Sequence, residues 1–401
     1  AGSQYLPYPH TDATAPALTP APDGYVPFHI EHYARHGSRW IIEESRYTKP
    51  VQMLETADRH GKLTERGKLL LEQLRTISKS AEKRGGELTE IGAEQHRGIG
   101  RRLAKNFPEI FRKGTYVDAK STVVIRSILS MTNELIEIEK ISPEMHVRTD
   151  ASAATQQWMG NACSSEPVTK RLQKKAAAKI KQMNVNNDHS AFISKVFTDP
   201  TFVNDSIGSD KIFKAVFDIA ANTQSHKDQP DLYDLFTQDE LYNEWLIHNA
   251  TWFTKVGNSK LTKNRMPYTQ RFLLRNIIES ADTAMTSPLI SANLRFGHDG
   301  MVAPMTALME LNGLNVEVNK LDNLAAQWRD YSIIPMACNI QLIFYRPQNS
   351  TNPDDVLVKI LLNETEATLP LTAVTGPYYK WTDVRTMWMD KLDAFPTLFD
   401  E

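Results

Sequence analysis

The chain has 401 residues, and its 46 Lys and Arg against 48 Asp and Glu leave a formal charge of −2 at neutral pH. So balanced a charge excludes a nucleic-acid binder working through bulk positive charge, and no apolar run is long enough to span a membrane. At roughly 150 residues per domain the length predicts two or three structural units, with apolar residues at 41% to fill their cores. Cysteine is limited to Cys163 and Cys338, so no disulfide framework holds the fold, although one bridge between them stays open.

Residues 1–24 carry Pro7, Pro9, Pro16, Pro20 and Pro22 among small polar residues, which predicts an extended arm along the surface. From Tyr25 the alternation of Val26, Phe28 and Ile30 predicts a strand, ended by Gly37. A helix is predicted from about Thr64, with Leu70, Leu74, Ile77 and Ala81 on one face and Gly85-Gly86 behind it. A second runs from Thr89, a capping residue, to Pro108. Ser121–Ile125 and Met145–Arg148 read as short strands on either side of a helix starting near Ser130. Between about 152 and 285 strand-like runs vanish and helical spacing takes over, as in Leu172, Ala176, Ile180 and Met183, in Phe213, Val216, Phe217 and Ala220, and in Phe272, Leu273, Asn276 and Ile277. Strand character returns at Leu289–Phe296, followed by a helix from about Val302 to Leu311. Asn339–Tyr345 and Val356–Leu361 flank the turn-rich stretch 346–355, which predicts an antiparallel hairpin. The pattern as a whole predicts an α/β protein with an all-helical insertion.

His29, His32 and His36 stand close together, but on a strand His29 and His32 point to opposite sides, which argues against zinc. Arg35-His36-Gly37-Ser38-Arg39-Trp40 sets two guanidinium groups around one imidazole where the strand runs into a loop. Arg forks match phosphate oxygens, and Gly lets the backbone approach closely, so the segment reads as an anion site beside a nucleophilic histidine, or else as a loop with two solvated arginines. Asp299 could equally cap the helix behind it, His298 be structural and Arg126 be salt-bridged. The basic run Lys170, Arg171, Lys174, Lys175, Lys179 and Lys181 reads as a solvated helix face. Trp40 could stack on a substrate ring, while Glu43 and Glu44 would repel a densely phosphorylated one.

Arg35-His36-Gly37-x-Arg39 resembles the signature of the histidine acid phosphatases, which include phytases and multiple inositol polyphosphate phosphatases. The resemblance continues through Leu88-Thr89-Glu90-x-Gly92-x-x-Gln95-His96-x-x-x-Gly100-x-x-Leu103, through Ser121-Thr122, Arg126 and Ser130, and through Phe296-Gly297-His298-Asp299. Ile41 stands where that family usually has Pro, Lys120 where its second motif usually begins with Arg, and Gly300 follows His298-Asp299 in place of a polar pair. The resemblance implies a phosphoglycerate-mutase-like central sheet with flanking helices, formed by 25–150 and 286–401, and a helical cap domain over 151–285. It implies a phosphomonoesterase in which His36 is the nucleophile, Asp299 the general acid, and Arg35, Arg39, Arg126 and His298 hold the phosphate. Ser38 and Trp40 are further candidate substrate contacts. Nearness to a dianionic ester should raise the Asp299 pKa, so an acidic optimum is expected. No metal or other cofactor is expected, and the expected partner is a small phosphomonoester, inositol polyphosphates such as phytate among the candidates, with no nucleic acid or membrane. A mutase-type phosphoryl transfer and a non-catalytic anion-binding protein are the alternatives; Arg39 argues against the first and the presence of both His36 and Asp299 against the second. The chain begins Ala1-Gly2 rather than with Met, which reads as a processed chain, and the resemblance implies a periplasmic or secreted location.

Overall fold

The computed structural model describes residues 2–160, 162–287, 289–318 and 320–399. Tyr25–Arg35 forms the first strand, β1, with Ile30 and Ala34 buried against one layer of helices and Tyr33 against the other. Seven more strands join it: β2 (Tyr116–Ser121), β3 (His146–Asp150), β4 (Ile290–Gly297), β5 (Asn339–Pro347), β6 (Leu357–Leu362), β7 (Thr365–Glu366) and β8 (Tyr379–Lys380). They lie in the order β3-β2-β4-β1-β5-β6-β7, with β8 also on β6. β1 to β4 run parallel, whereas β5 and β6 are antiparallel to their neighbours, as the predicted hairpin requires. The register puts Arg35 opposite Gly297 and Ser121 opposite Phe296, so the carboxyl ends of β1, β4 and β2 finish side by side. That is the position at which open α/β sheets form a crevice.

One face of the sheet is covered by α3 (Glu90–Asn106) and α4 (Ile125–Ile141), whose Leu103, Met131, Leu135 and Ile138, with Phe107 just past α3, pack on Ile30, Val117 and Leu294. The other is covered by α10 (Gln238–Val256), α11 (Arg271–Thr286), α12 (Asp299–Leu308) and α14 (Trp381–Phe399), through residues such as Phe253, Ile278, Val302 and Trp388 against Ile340, Leu342 and Phe344. Between β3 and β4 the described residues contain no strand; they form α5 (Gln156–Met159), α6 (Pro167–Ile180), α7 (Ser190–Val196), α8 (Pro200–Ser206), α9 (Ser209–Thr223) and the two longer helices α10 and α11. α7 and α9 share a core with α1 (Ser45–Arg59) and α2 (Glu65–Ala81), where Phe192, Phe213 and Phe217 meet Tyr47, Leu54, Leu70 and Leu74. A short α13 (Asp330–Ile333) precedes β5.

Several sequence expectations shift. β2 ends at Ser121, and Ile125, expected in a strand, is a 70% exposed first residue of α4, which begins five residues before Ser130. Its β-branched run misled because it straddles a strand end, a turn and a helix start. Phe272 is half exposed, while Leu273, Leu274, Ile277 and Ile278 form the buried face of α11. Cys163 and Cys338 are both buried and free. The N-terminal arm does not simply lie on the surface: Ser3–Tyr5 makes a single helical turn, and Tyr5 and Tyr8 are buried. Burying two large rings outweighs the solvation that the prolines and small polar residues suggested.

Candidate active site

The loop from Arg35 to Trp40 is held against the start of α3 at backbone contact. A Cβ on Gly37 would lie 2.3 Å from the Gly92 carbonyl oxygen, and one on Gly92 would lie 2.2 Å from that of Ser38. Both glycines are therefore required by the approach of two main chains, and Thr89, whose Oγ1 accepts from Gly92 N–H at 3.2 Å, caps the helix that supplies one of them. The loop is pinned on further sides. His36 N–H donates to the Gly297 carbonyl at 2.9 Å, Arg35 N–H to that of Cys338 at 2.8 Å, and Gly37 N–H to Ser130 Oγ at 3.1 Å. Behind it the buried His96 ring bridges the Arg35 carbonyl, 3.0 Å from Nε2, and Glu134, 2.9 Å from Nδ1.

His36 Nδ1 lies 2.9 Å from the Gly37 carbonyl, which can only accept, so Nδ1 carries the proton and Nε2 the lone pair. Burial, with Arg35, Arg126, Arg39 and His298 around it, holds the His36 pKa well below the usual histidine value. The ring is thus neutral. His298 stands 5.5 Å away, centroid to centroid and edge to face, with Nε2 3.3 Å from Thr122 Oγ1. Burial, followed by Arg126, Arg35 and Arg39, brings its pKa to about 4. Arg126, on the first turn of α4, is itself lowered to about 10 by burial and by Arg39, and stays charged at neutral pH. The Nε atoms of Arg35, Arg39 and Arg126 are buried and without hydrogen-bond partners. Buried donors left open in this way are costly unless an acceptor arrives.

Arg35 Nη2 forms an ion pair with Asp299 Oδ2 at 2.8 Å. Burial works to raise the Asp299 pKa, but Arg35, Arg39 and His298 prevail and hold it below the ordinary carboxylate range. Three guanidinium charges against one carboxylate leave 3 − 1 = +2, the complement of a phosphomonoester dianion. Asp299 is the first residue of α12 and accepts from Gly300 N–H at 2.8 Å, so it sits one position inside the helix rather than at its cap.

The structure therefore brings together His36, Arg35, Arg39, Arg126, His298 and Asp299, which the sequence holds up to 264 residues apart, from Arg35 to Asp299. It does not bring Ser38 and Trp40 to them as substrate contacts. Ser38 is fully buried, with its N–H and hydroxyl bound to the Gln95 amide at 2.9 and 3.1 Å, so it braces the loop. The Trp40 ring is 5% exposed, with His226 at 4.1 Å and the Arg84 guanidinium over it at 5.2 Å, so its faces are already taken. His29 is occupied by Glu31 and the Ile290 carbonyl, and His32 faces the opposite side towards Glu134, as strand alternation dictates. Thr122, Ser130, Gln95 and His96 stand in the motifs quoted above, but their contacts were not legible without the fold.

Neither a protein-family model nor a curated protein matches this sequence. Solved structures do. The multiple inositol polyphosphate phosphatase of Bifidobacterium longum, in complex with phosphate, superposes with a TM-score of 0.80 at 20% identity, over 97% of this chain and 98% of that one. The phytase of D. castellii gives 0.70 at 12% identity over 98% and 84%, and that of Hafnia alvei, in complex with tartrate, 0.58 at 11% over 92% and 98%. At these identities the likeness establishes the fold: a mixed sheet with flanking helices in the arrangement of these phosphatases. No helix among the described residues is long and apolar enough to cross a membrane.

Proposed function

We propose that this protein is a phosphomonoester hydrolase of the histidine acid phosphatase type, acting through a phosphohistidine on His36. The observation that carries the reading is the His36 ring itself, neutral among three arginines and with its Nδ1 proton tied to the Gly37 carbonyl. The Nε2 lone pair attacks phosphorus, and the bond from phosphorus to the ester oxygen breaks. Asp299 as its acid form gives a proton to that oxygen. The Asp299 carboxylate then takes a proton from water as the water oxygen attacks phosphorus, and the electron pair of the P–N bond returns to Nε2. Arg35, Arg39, Arg126 and His298 supply the charge and hydrogen bonds that the equatorial oxygens need, so the reaction as written uses no metal.

The free site holds Asp299 as the carboxylate, so its proton must arrive with the ester. An incoming dianion competes with Asp299 for Arg35 and raises the carboxyl pKa, which couples binding to proton uptake. His36, meanwhile, stays unprotonated well below the ordinary histidine pKa. The two requirements overlap on the acid side of neutrality.

As substrates we propose inositol polyphosphates, on the strength of a fold shared with proteins named for them. Glu43 and Glu44, which would oppose such a ligand, are partly answered by Arg46 at 3.8 Å and by Lys83 N–H at 2.7 Å. The helical segment 151–285 serves as the cap in this reading, and a periplasmic or secreted location accords with it. Acid quenching during turnover of phytate and simpler monoesters should trap one phosphoryl group per chain, absent in His36→Ala. Turnover of every monoester in such a panel without a trapped intermediate would sink the mechanism, and no turnover at all the function.

A further inference from the structure

The mechanism above leaves unexplained why Tyr5 is buried, and Gln4 half-buried, beside Arg35 and Arg39. Gln4 presents its carbonyl to Arg35 Nη1 at 2.7 Å, the shortest of three acceptors on that nitrogen, the others being the carbonyls of Ile334 at 2.8 Å and Pro335 at 3.1 Å. Three carbonyls on Nη1 fix the plane of the guanidinium and leave Nη2 to Asp299 and Nε open. Tyr5 lies under the second arginine, its ring centroid 5.5 Å from the Arg39 guanidinium carbon, and is 2% exposed. Beside that ring, the one hydrogen bond found for the Arg39 head among the described residues is Nη1 to the Trp40 carbonyl at 2.9 Å.

The segment is itself fastened on both sides of the site. Ser3 Oγ donates to the buried Asp330, Trp252 Nε1 of α10 donates to the Gln4 side chain, and Met336 N–H donates to the Leu6 carbonyl at 2.8 Å. Tyr5 also packs on Ala221 of α9 and on Met336. A turn anchored to three helices, α9, α10 and α13, and to the approach of β5 has no evident purpose as a surface strap, since its contacts from Gln4 and Tyr5 fall on the two arginines that open the loop at His36.

We propose that residues 3–6 form the wall of the phosphate pocket, with the Gln4 carbonyl and the Tyr5 ring as positioning groups for Arg35 and Arg39. The inference rests on the phosphatase reading. A cation held over an aromatic face loses orientation when the ring is removed, so the deficit should appear in anion binding before it appears in chemistry.

Inorganic phosphate binding by calorimetry tests this without turnover. Tyr5→Ala should weaken the phosphate Kd about fivefold and raise KM for an aryl phosphate to a similar degree, with kcat less affected. Tyr5→Phe, which keeps the ring, should restore both. Deletion of residues 1–6 should weaken binding further, and Tyr5→Ala stands as the test should that shorter chain not fold. A phosphate Kd for Tyr5→Ala within twofold of the unsubstituted protein, whatever happens to Tm, overturns the proposal and leaves the phosphatase reading standing. Failure of the unsubstituted protein to bind phosphate overturns both.

Discussion

The chemistry proposed at His36 rests on one hydrogen bond and on its surroundings: the Gly37 carbonyl selects the tautomer, and burial among cations favours the neutral ring. Activity should therefore persist at acid pH, on a limb where an ordinary histidine of pKa about 6.5 would already be lost. A pH profile of kcat/KM that collapses as pH falls through 6.5 would contradict this. Asp299 carries the opposite requirement. Asp299→Asn should lower kcat by roughly two to three orders of magnitude on an alkyl phosphate, whose alkoxide leaves poorly, and by far less on an activated aryl phosphate. Equal losses on both esters would remove Asp299 from the leaving-group step. The identities of these residues were legible as four short motifs, because the groups proposed to bind phosphate are side chains. The tautomer was not, since it depends on where a backbone carbonyl lies.

Elements explain why the motifs work as a unit. β1, β2 and β4 end in register, and each hands its last residues to the crevice: Arg35-His36 from β1, Thr122 and Arg126 after β2, His298-Asp299 after β4. The closeness of the loop from Arg35 to Trp40 to α3 is the most demanding contact, and it predicts a severe penalty at Gly92. Gly92→Ala would place a methyl group 2.2 Å from the Ser38 carbonyl oxygen and should cut kcat/KM at least a hundredfold while lowering Tm. Retention of full activity would mean that the loop can retreat without cost. The long helices α2 and α3, with threonine caps and clear apolar spacing, could be read from sequence to within a residue at their starts. α1 and α14 could not, because Pro50 and Pro396 within them interrupt the pattern and their buried faces mix large aromatics with charged neighbours.

For the whole molecule, the buried histidines set the response to pH. His32, His226 and His298 are each brought to about 4, chiefly by burial, and His36 is also depressed. Below about pH 6.5 the unfolded chain takes up protons that the folded one refuses, so stability is complete above that pH and falls as pH drops towards 4. Fully buried His32, whose ring nitrogens lack hydrogen-bond partners, accounts for roughly 3 kcal/mol of that fall. Asp299 and Glu31, held low by arginine partners, act in the same direction at lower pH. Tm should therefore decline between pH 6.5 and 4, with saturating inorganic phosphate recovering part of the loss; a flat profile would refute the assignment of neutral buried rings. Composition and apolar spacing were sufficient by themselves to determine an α/β protein with a long helical insertion, and motif order to pick out the residues proposed here for an anion site, because those properties are local. Which residues converge on the proposed anion site was decided only in three dimensions. The Arg39 and Trp40 side chains are chain neighbours that part company, one into the pocket and the other beneath His226 and Arg84, while Tyr5 arrives from an arm that no spacing rule connects to it. Side-chain direction at a loop, and the burial that tunes each pKa, depend on what packs from elsewhere in the chain.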